Sequence, residues 1–196
     1  VINYSFASDQ VPAPEQKHPI LLTNCTIHPV SGEDIRGGSI LFEKGKITGV
    51  AHRIANLPEN TEIIDLKGKH VYPGMIAAAS VIGLTEIGAV AVTRDFSERG
   101  EVNPNVRAEV AFNPDSEIIP VTRSNGITLA HSCPTGGIIS GTSAIMMLDG
   151  WTWEKATLKA PAGLHINWPN MGAVRYRRYR VSEEDAAKRR EETLKK

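Results

Sequence analysis

Cysteine is scarce in this sequence. Only Cys25 and Cys133 occur among 196 residues, and neither belongs to a Cys-x-x-Cys pair, which excludes a zinc ribbon. Two free, buried thiols are expected. An excess of charge of one sign is also lacking. Lys plus Arg is 22 and Asp plus Glu is 22, which argues against a dedicated nucleic-acid or membrane-surface protein. No apolar run approaches the roughly 20 residues that cross a bilayer. The longest, Met75 to Leu84, is interrupted by Ser80 and Gly83. No methionine precedes Met75 and the chain opens on Val1, so the expectation is a removed leader or a piece of something longer.

What is present is ordinary for a globular chain: 41% apolar and 22% charged residues, enough for one sizeable core or two small ones. Residues 1–18 are polar, contain proline and lack periodicity, and read as an extended arm. From Ile20 short β-rich runs alternate with turns. They include Leu21-Leu22, Cys25-Thr26-Ile27, Ser39-Ile40-Leu41-Phe42, Ile47-Thr48-Gly49-Val50 and Glu62-Ile63-Ile64. The turns fall at Ser31 to Asp34, Glu43 to Lys46 and Gly68-Lys69. Such spacing predicts a small antiparallel sheet or sandwich over 19–72.

After Pro73-Gly74 the texture changes. Met75 to Ala79 is a continuous small apolar run, as in a strand buried on both faces. Asn113-Pro114-Asp115 predicts a helix start, with Asn as cap and Pro at the first position. Asn125-Gly126 predicts its end, and Pro120 within it predicts a kink or early break. Ile127 to Ala130 reads as the next strand and Leu164 to Asn167 as a third. Strand, helix, strand order implies a parallel α/β unit. The tail from Ser182 predicts a helix running to the chain end.

The stretch Ile64-Asp65-Leu66-Lys67-Gly68-Lys69-His70-Val71-Tyr72-Pro73-Gly74-Met75-Ile76 resembles the amidohydrolase superfamily, most closely its imidazolonepropionase-related branch. Leu22 to Ile27 resembles the family's opening strand and Ile40 to Ile47 its first hairpin. Asn125-Gly126-Ile127-Thr128 resembles the Gly-Val-Thr-Thr of its second barrel strand. The likeness runs from about Pro19 to His131. It implies a small β-sandwich over 19–72, then the first strands of a TIM-like (β/α)8 barrel over 73–196. Such a barrel takes about 250 residues, so this chain is expected to be incomplete alone and to pair with the remaining half of the barrel in an assembly. The implied activity is metal-dependent hydrolysis of C–N bonds in cyclic amides or peptide-like substrates. Export, to the periplasm or beyond, is the favoured location.

One departure dominates. The family's His-x-His metal ligands would fall on Ala79 and Val81, which offer no lone-pair donor. No metal ligand is therefore expected from this chain. Zinc or another divalent ion is expected only through residues beyond it. The expected function is a C–N hydrolase with an altered first metal motif or, alternatively, an inactive relative serving as a binding or assembly subunit.

Other candidates follow from the residues themselves. Pro134 to Ser143 follows a strand and combines glycine amides with hydroxyls, a pattern that can cradle an anion. Thr135, Gly136, Gly137 and Ser140 are its candidate substrate contacts, against the alternative of a tight loop needing positive φ. His165 is a further substrate-contact candidate. His131 is expected to be a hydrogen-bonded structural residue. Asp149 to Glu154 brings two tryptophans to a turn, expected to pack in the core or anchor an interface. Arg175 to Arg180 interleaves basic and aromatic residues and is expected to be a solvated connector rather than an RNA contact.

Overall fold

The computed structural model describes residues 11–168, 187–188 and 191–192. The Arg175 to Arg180 cluster, residues 1–10 of the arm and most of the C-terminal tail lie outside the described residues. Ala187, Lys188, Glu191 and Glu192 are helical. Residues 11–17 form no helix or strand. They run as a strap: Gln16 donates to Phe42 O at 3.0 Å and accepts from Gly45 N at 2.7 Å, while Ala13 N reaches Asp149 at 3.3 Å.

The first sheet contains β1 (Ile20–Ile27), β2 (Ile35–Glu43), β3 (Lys46–Ala51), β4 (Glu62–Asp65) and β5 (His70–Val71). Its order is β3-β2-β1-β4, with β5 also on β1. It is a single mixed sheet, because β4 and β5 pair parallel with successive halves of β1. A second layer stacked on it, as a sandwich requires, is absent among the described strands. Period-two burial of Cys25 and Ile27 against Ile40 forms its core. Lys44 and Gly45 both have positive φ, 50° and 71°, as a two-residue hairpin turn that matches strand twist demands. Asn24, at φ 54°, sits in the bulge of β1 between Leu22 and Cys25, a conformation Asn tolerates better than most residues.

The second sheet contains β6 (Met75–Ser80), β7 (Ile127–Ser132), β8 (Ile139–Met147) and β9 (Thr157–Ile166), in that order. β6 and β7 are parallel, as expected. β8 and β9 are antiparallel to their neighbours, so Leu164 to Ile166 does not continue a parallel α/β series. The connections explain it: β7 reaches β8 through 133–138, and β8 reaches β9 through 148–156, both too short for the crossover a parallel neighbour needs.

The expectation of a strand buried on both faces fails at β6. Met75 and Ile76 are 55% and 56% exposed. β6 is an edge strand with only β7 beside it, and no described layer covers it.

α1 (Ile118–Ser124) begins later than the Asn-Pro-Asp signal predicts. Asn113 instead closes a local turn, its side chain accepting from Asp115 N at 3.0 Å. Pro120 consequently falls in the first turn of α1, where its missing N–H has no partner to lose. Positive φ at Gly126, 82°, ends α1 as expected. Ile119 of α1 packs with Phe112, Ala130, Ala144, Met146, Leu148 and Ala156 into the second core. Each large side chain fully buried there contributes about 1.5–3 kcal/mol. Trp153 opens α2 (Trp153–Ala156) and leans on this core, whereas Trp151 is half exposed.

Candidate functional site

The alternation of β7 sorts its side chains between two faces. Ala130 and Ser132 pair with Met146 and Ala144 on the face that α1 covers. His131 lies opposite Ile145 and points the other way. There its Nε2 lies 2.8 Å from Ser143 Oγ. With Ser143 donating to Gly163 O at 3.2 Å, its oxygen is free to accept from His131 Nε2. Across β8, His165 of β9 brings its ring centroid to 5.8 Å from that of His131. Gly141 and Ser143 of β8 and Gly163 of β9, paired Gly141 with His165 and Ser143 with Gly163, are small enough to leave this meeting open.

Just past β7 the chain turns, and Cys133 joins the two rings. One donor atom each from His131, Cys133 and His165 lie within 4.8 Å of one another. Burial raises the Cys133 thiol above its ordinary pKa, opposed by the Ser143 hydroxyl beside it. Burial lowers the pKa of His165, and repulsion from His131 adds to it. Sequence reading placed His131 and Cys133 in structural roles and His165 as a lone contact. Only the pairing of β7, β8 and β9 brings the three together.

The loop candidates sit beside this cluster. Thr135 and Gly136 are exposed, Gly137 is half-buried and Ser140 is buried within β8. Thr135 N donates to Phe96 O at 2.7 Å, and Ile138 N and Ile139 N both donate to Glu101 O. Ser140 Oγ donates to Gly136 O at 2.7 Å. Asn167, which sequence reading missed, ties the loop to the end of β9 by donating to Gly137 O at 3.0 Å and Ser140 Oγ at 2.8 Å. Gly136 and Gly137 have φ of 94° and 60°. Much of the hydrogen-bonding capacity of this loop is thus spent within the protein.

Ala79 and Val81 flank Ser80, which pairs with Ser132. Ala79 is exposed and left-handed, at φ 49°. Neither side chain carries a metal-donor atom.

A second imidazole cluster lies on the first sheet. Asp34 contacts His28 Nδ1 at 2.8 Å, His28 Nε2 meets His70 Nδ1 at 2.8 Å, and Tyr72 stacks on His28 at 4.3 Å.

No family model and no curated protein matches the chain. Among solved structures, it is similar to an amidohydrolase from Thermotoga maritima MSB8, with 31% identity and a TM-score of 0.69, over 75% of this chain and 38% of that one. Another amidohydrolase is 28% identical over 34% of this chain and 16% of its own, with a TM-score of 0.29. A prolidase solved with N-methylphosphonate-L-proline is 20% identical over 57% and 25%, with a TM-score of 0.36. The last two superpose too slightly to bear on the fold. The chain therefore spans well under half of the Thermotoga amidohydrolase, and that neighbour supports the amidohydrolase superfamily.

Proposed function

We propose that this chain is the front portion of an amidohydrolase-type hydrolase of the imidazolonepropionase-related branch. It acts on C–N bonds of cyclic amides or peptide-like substrates, with the first metal motif altered at Ala79 and Val81. The similarity to the Thermotoga amidohydrolase carries the reading. Thr135, Gly136, Gly137, Ser140 and His165 are the proposed substrate contacts; Asn167 ties Gly137 and Ser140 to the end of β9. The remaining half of a barrel, from the same precursor or a separate chain, is the proposed partner. Exposure of Met75 and Ile76 on β6 supports it, because an open apolar edge invites pairing. A soluble monomer by light scattering, with one sharp thermal transition, would remove the partner from the reading.

The test of activity is amine release from a panel of cyclic amides and N-acyl amino acids, with Zn²⁺, Mn²⁺ or Co²⁺ added. Release from at least one class is expected. Silence across the panel, for protein purified with its natural partner segment, would overturn the hydrolase reading. The inactive binding or assembly subunit would then stand in its place, a second reading favoured by the absence of donors at Ala79 and Val81.

A further inference from the structure

We propose that His131, Cys133 and His165 form a zinc-type metal site on the face of the second sheet opposite α1. The proposal rests on the geometry of the three side chains and stands whether or not the protein hydrolyses anything. Three donors within 4.8 Å of one another are close to the spacing a tetrahedral ion imposes. Zinc bonds to nitrogen and sulfur place neighbouring ligand atoms about 3.3–3.8 Å apart. The difference, roughly an ångström, is of the size that side-chain rotation can close.

The donor chemistry selects the ion. Two imidazoles and a thiolate suit zinc and other borderline or soft transition metals, whereas magnesium and calcium take oxygen ligands. Three protein ligands leave a fourth position open, as in zinc sites that bind water or substrate. The surroundings favour a held geometry. Ser143 Oγ lies 2.8 Å from His131 Nε2, the kind of contact that orients a ligand imidazole. No side chain at Gly141 or Gly163 crowds the site.

The position has a further logic. Ser80 of β6 pairs with Ser132 of β7. Ala79 and Val81, the empty motif positions, thus flank one member of the pair, and His131 and Cys133 flank the other. Donors missing at the end of one strand are present at the end of its parallel neighbour.

The test uses the untagged chain. Titration with Co²⁺ should give one ion per chain, with a thiolate-to-cobalt charge-transfer band and the visible bands of tetrahedral cobalt. Zn²⁺ should displace it. Cys133→Ser should abolish the charge-transfer band. Cys133→Ser and His165→Gln should each weaken zinc, measured against a chromophoric chelator, by more than about a hundredfold, beyond the range of an outer-contact loss. Ser143→Ala should weaken it by about 10–100-fold. His28→Ala, which disrupts the other imidazole cluster, should change nothing. Far-ultraviolet dichroism of each metal-free variant establishes that it is folded, and His165→Gln, at a partly exposed position, keeps the test decisive if Cys133→Ser is not. Failure to bind cobalt, binding without the thiolate band, or binding lost with His28→Ala and kept with His165→Gln would each overturn the proposal.

Discussion

Adding a single methyl group at Gly137 should be among the more damaging small changes in this protein. A Cβ built there meets Gly100 O at 2.7 Å, Glu101 O at 2.8 Å and Glu101 C at 3.0 Å. These are backbone atoms, so no side chain can swing aside. Relief requires moving the 100–101 segment by about half an ångström or more, and Glu101 O is the acceptor for both Ile138 N at 2.7 Å and Ile139 N at 2.9 Å. Losing or stretching each bond costs about 1 kcal/mol. The left-handed backbone, at φ 60°, adds about 1–2 kcal/mol for any residue with a Cβ. Lower entropy of the unfolded chain returns about 0.4–1 kcal/mol. Gly137→Ala should therefore lose about 3 kcal/mol of stability. Gly136→Ala is the control. Its φ is also positive, 94°, but its Cβ meets only Ser97 Cβ at 3.4 Å, and the expected loss is about 1 kcal/mol. Urea unfolding followed by tryptophan fluorescence measures both, since Trp153 packs on the core of the same sheet. Losses for the two variants within about 0.5 kcal/mol of each other would refute the argument that backbone approach, rather than φ alone, makes position 137 a glycine.

Three further outcomes are expected. Val30, 83% exposed at φ 66°, is the centre of a tight turn closed by Ser31 N to Pro29 O at 2.8 Å. Val30→Gly should stabilise by about 1 kcal/mol, because left-handed backbone strains a β-branched residue; an unchanged or lower melting temperature would count against this. The amide of Lys67 and then the side chain of Asn24 hold Asp65 below the usual carboxylate pKa. A depressed folded pKa means its contribution is complete above the unfolded value, about 3.9, and is lost as pH falls through the folded pKa. Asp65→Asn should therefore flatten the fall in stability below about pH 4, and parallel wild-type and variant curves in acid urea melts would disprove it. Cys25 and Cys133, free and 1% and 5% exposed, should resist a thiol reagent in the metal-free native protein and react fully in denaturant; rapid native labelling of Cys25 would contradict its burial.

Local signals in the sequence predicted what local chemistry controls. Gly45 and Gly126 were readable because positive φ is needed at those places and glycine supplies it. The strands β1, β2, β6 and β7 were readable from β-rich or small apolar runs. What sequence could not carry was pairing. The parallel partnership of β1 with β4 and β5, and the reversal at β8 and β9, depend on connection length and register between distant segments. For the same reason the meeting of His131, Cys133 and His165 was hidden: two of these residues lie two positions apart at the end of β7, but the third arrives across β8. The Asn-Pro-Asp signal misled because Asn113 can cap a turn as readily as a helix, and the Asp115 amide is what it caps. The apolar run at Met75 to Ala79 misled because composition reports what a strand can bury, not what stands beside it.

The route between β6 and β7 has a consequence for the order of folding. β7, β8 and β9 join through short connections and can zip together as a local unit soon after collapse. β6 must wait until the whole stretch from Val81 to Gly126 is arranged, because its bonding partner lies beyond it. Closing a long loop is slow where closing a short hairpin is fast. During synthesis β6 also emerges well before β7 exists to receive it. β6 is thus expected to dock last and to exchange its amide hydrogens first.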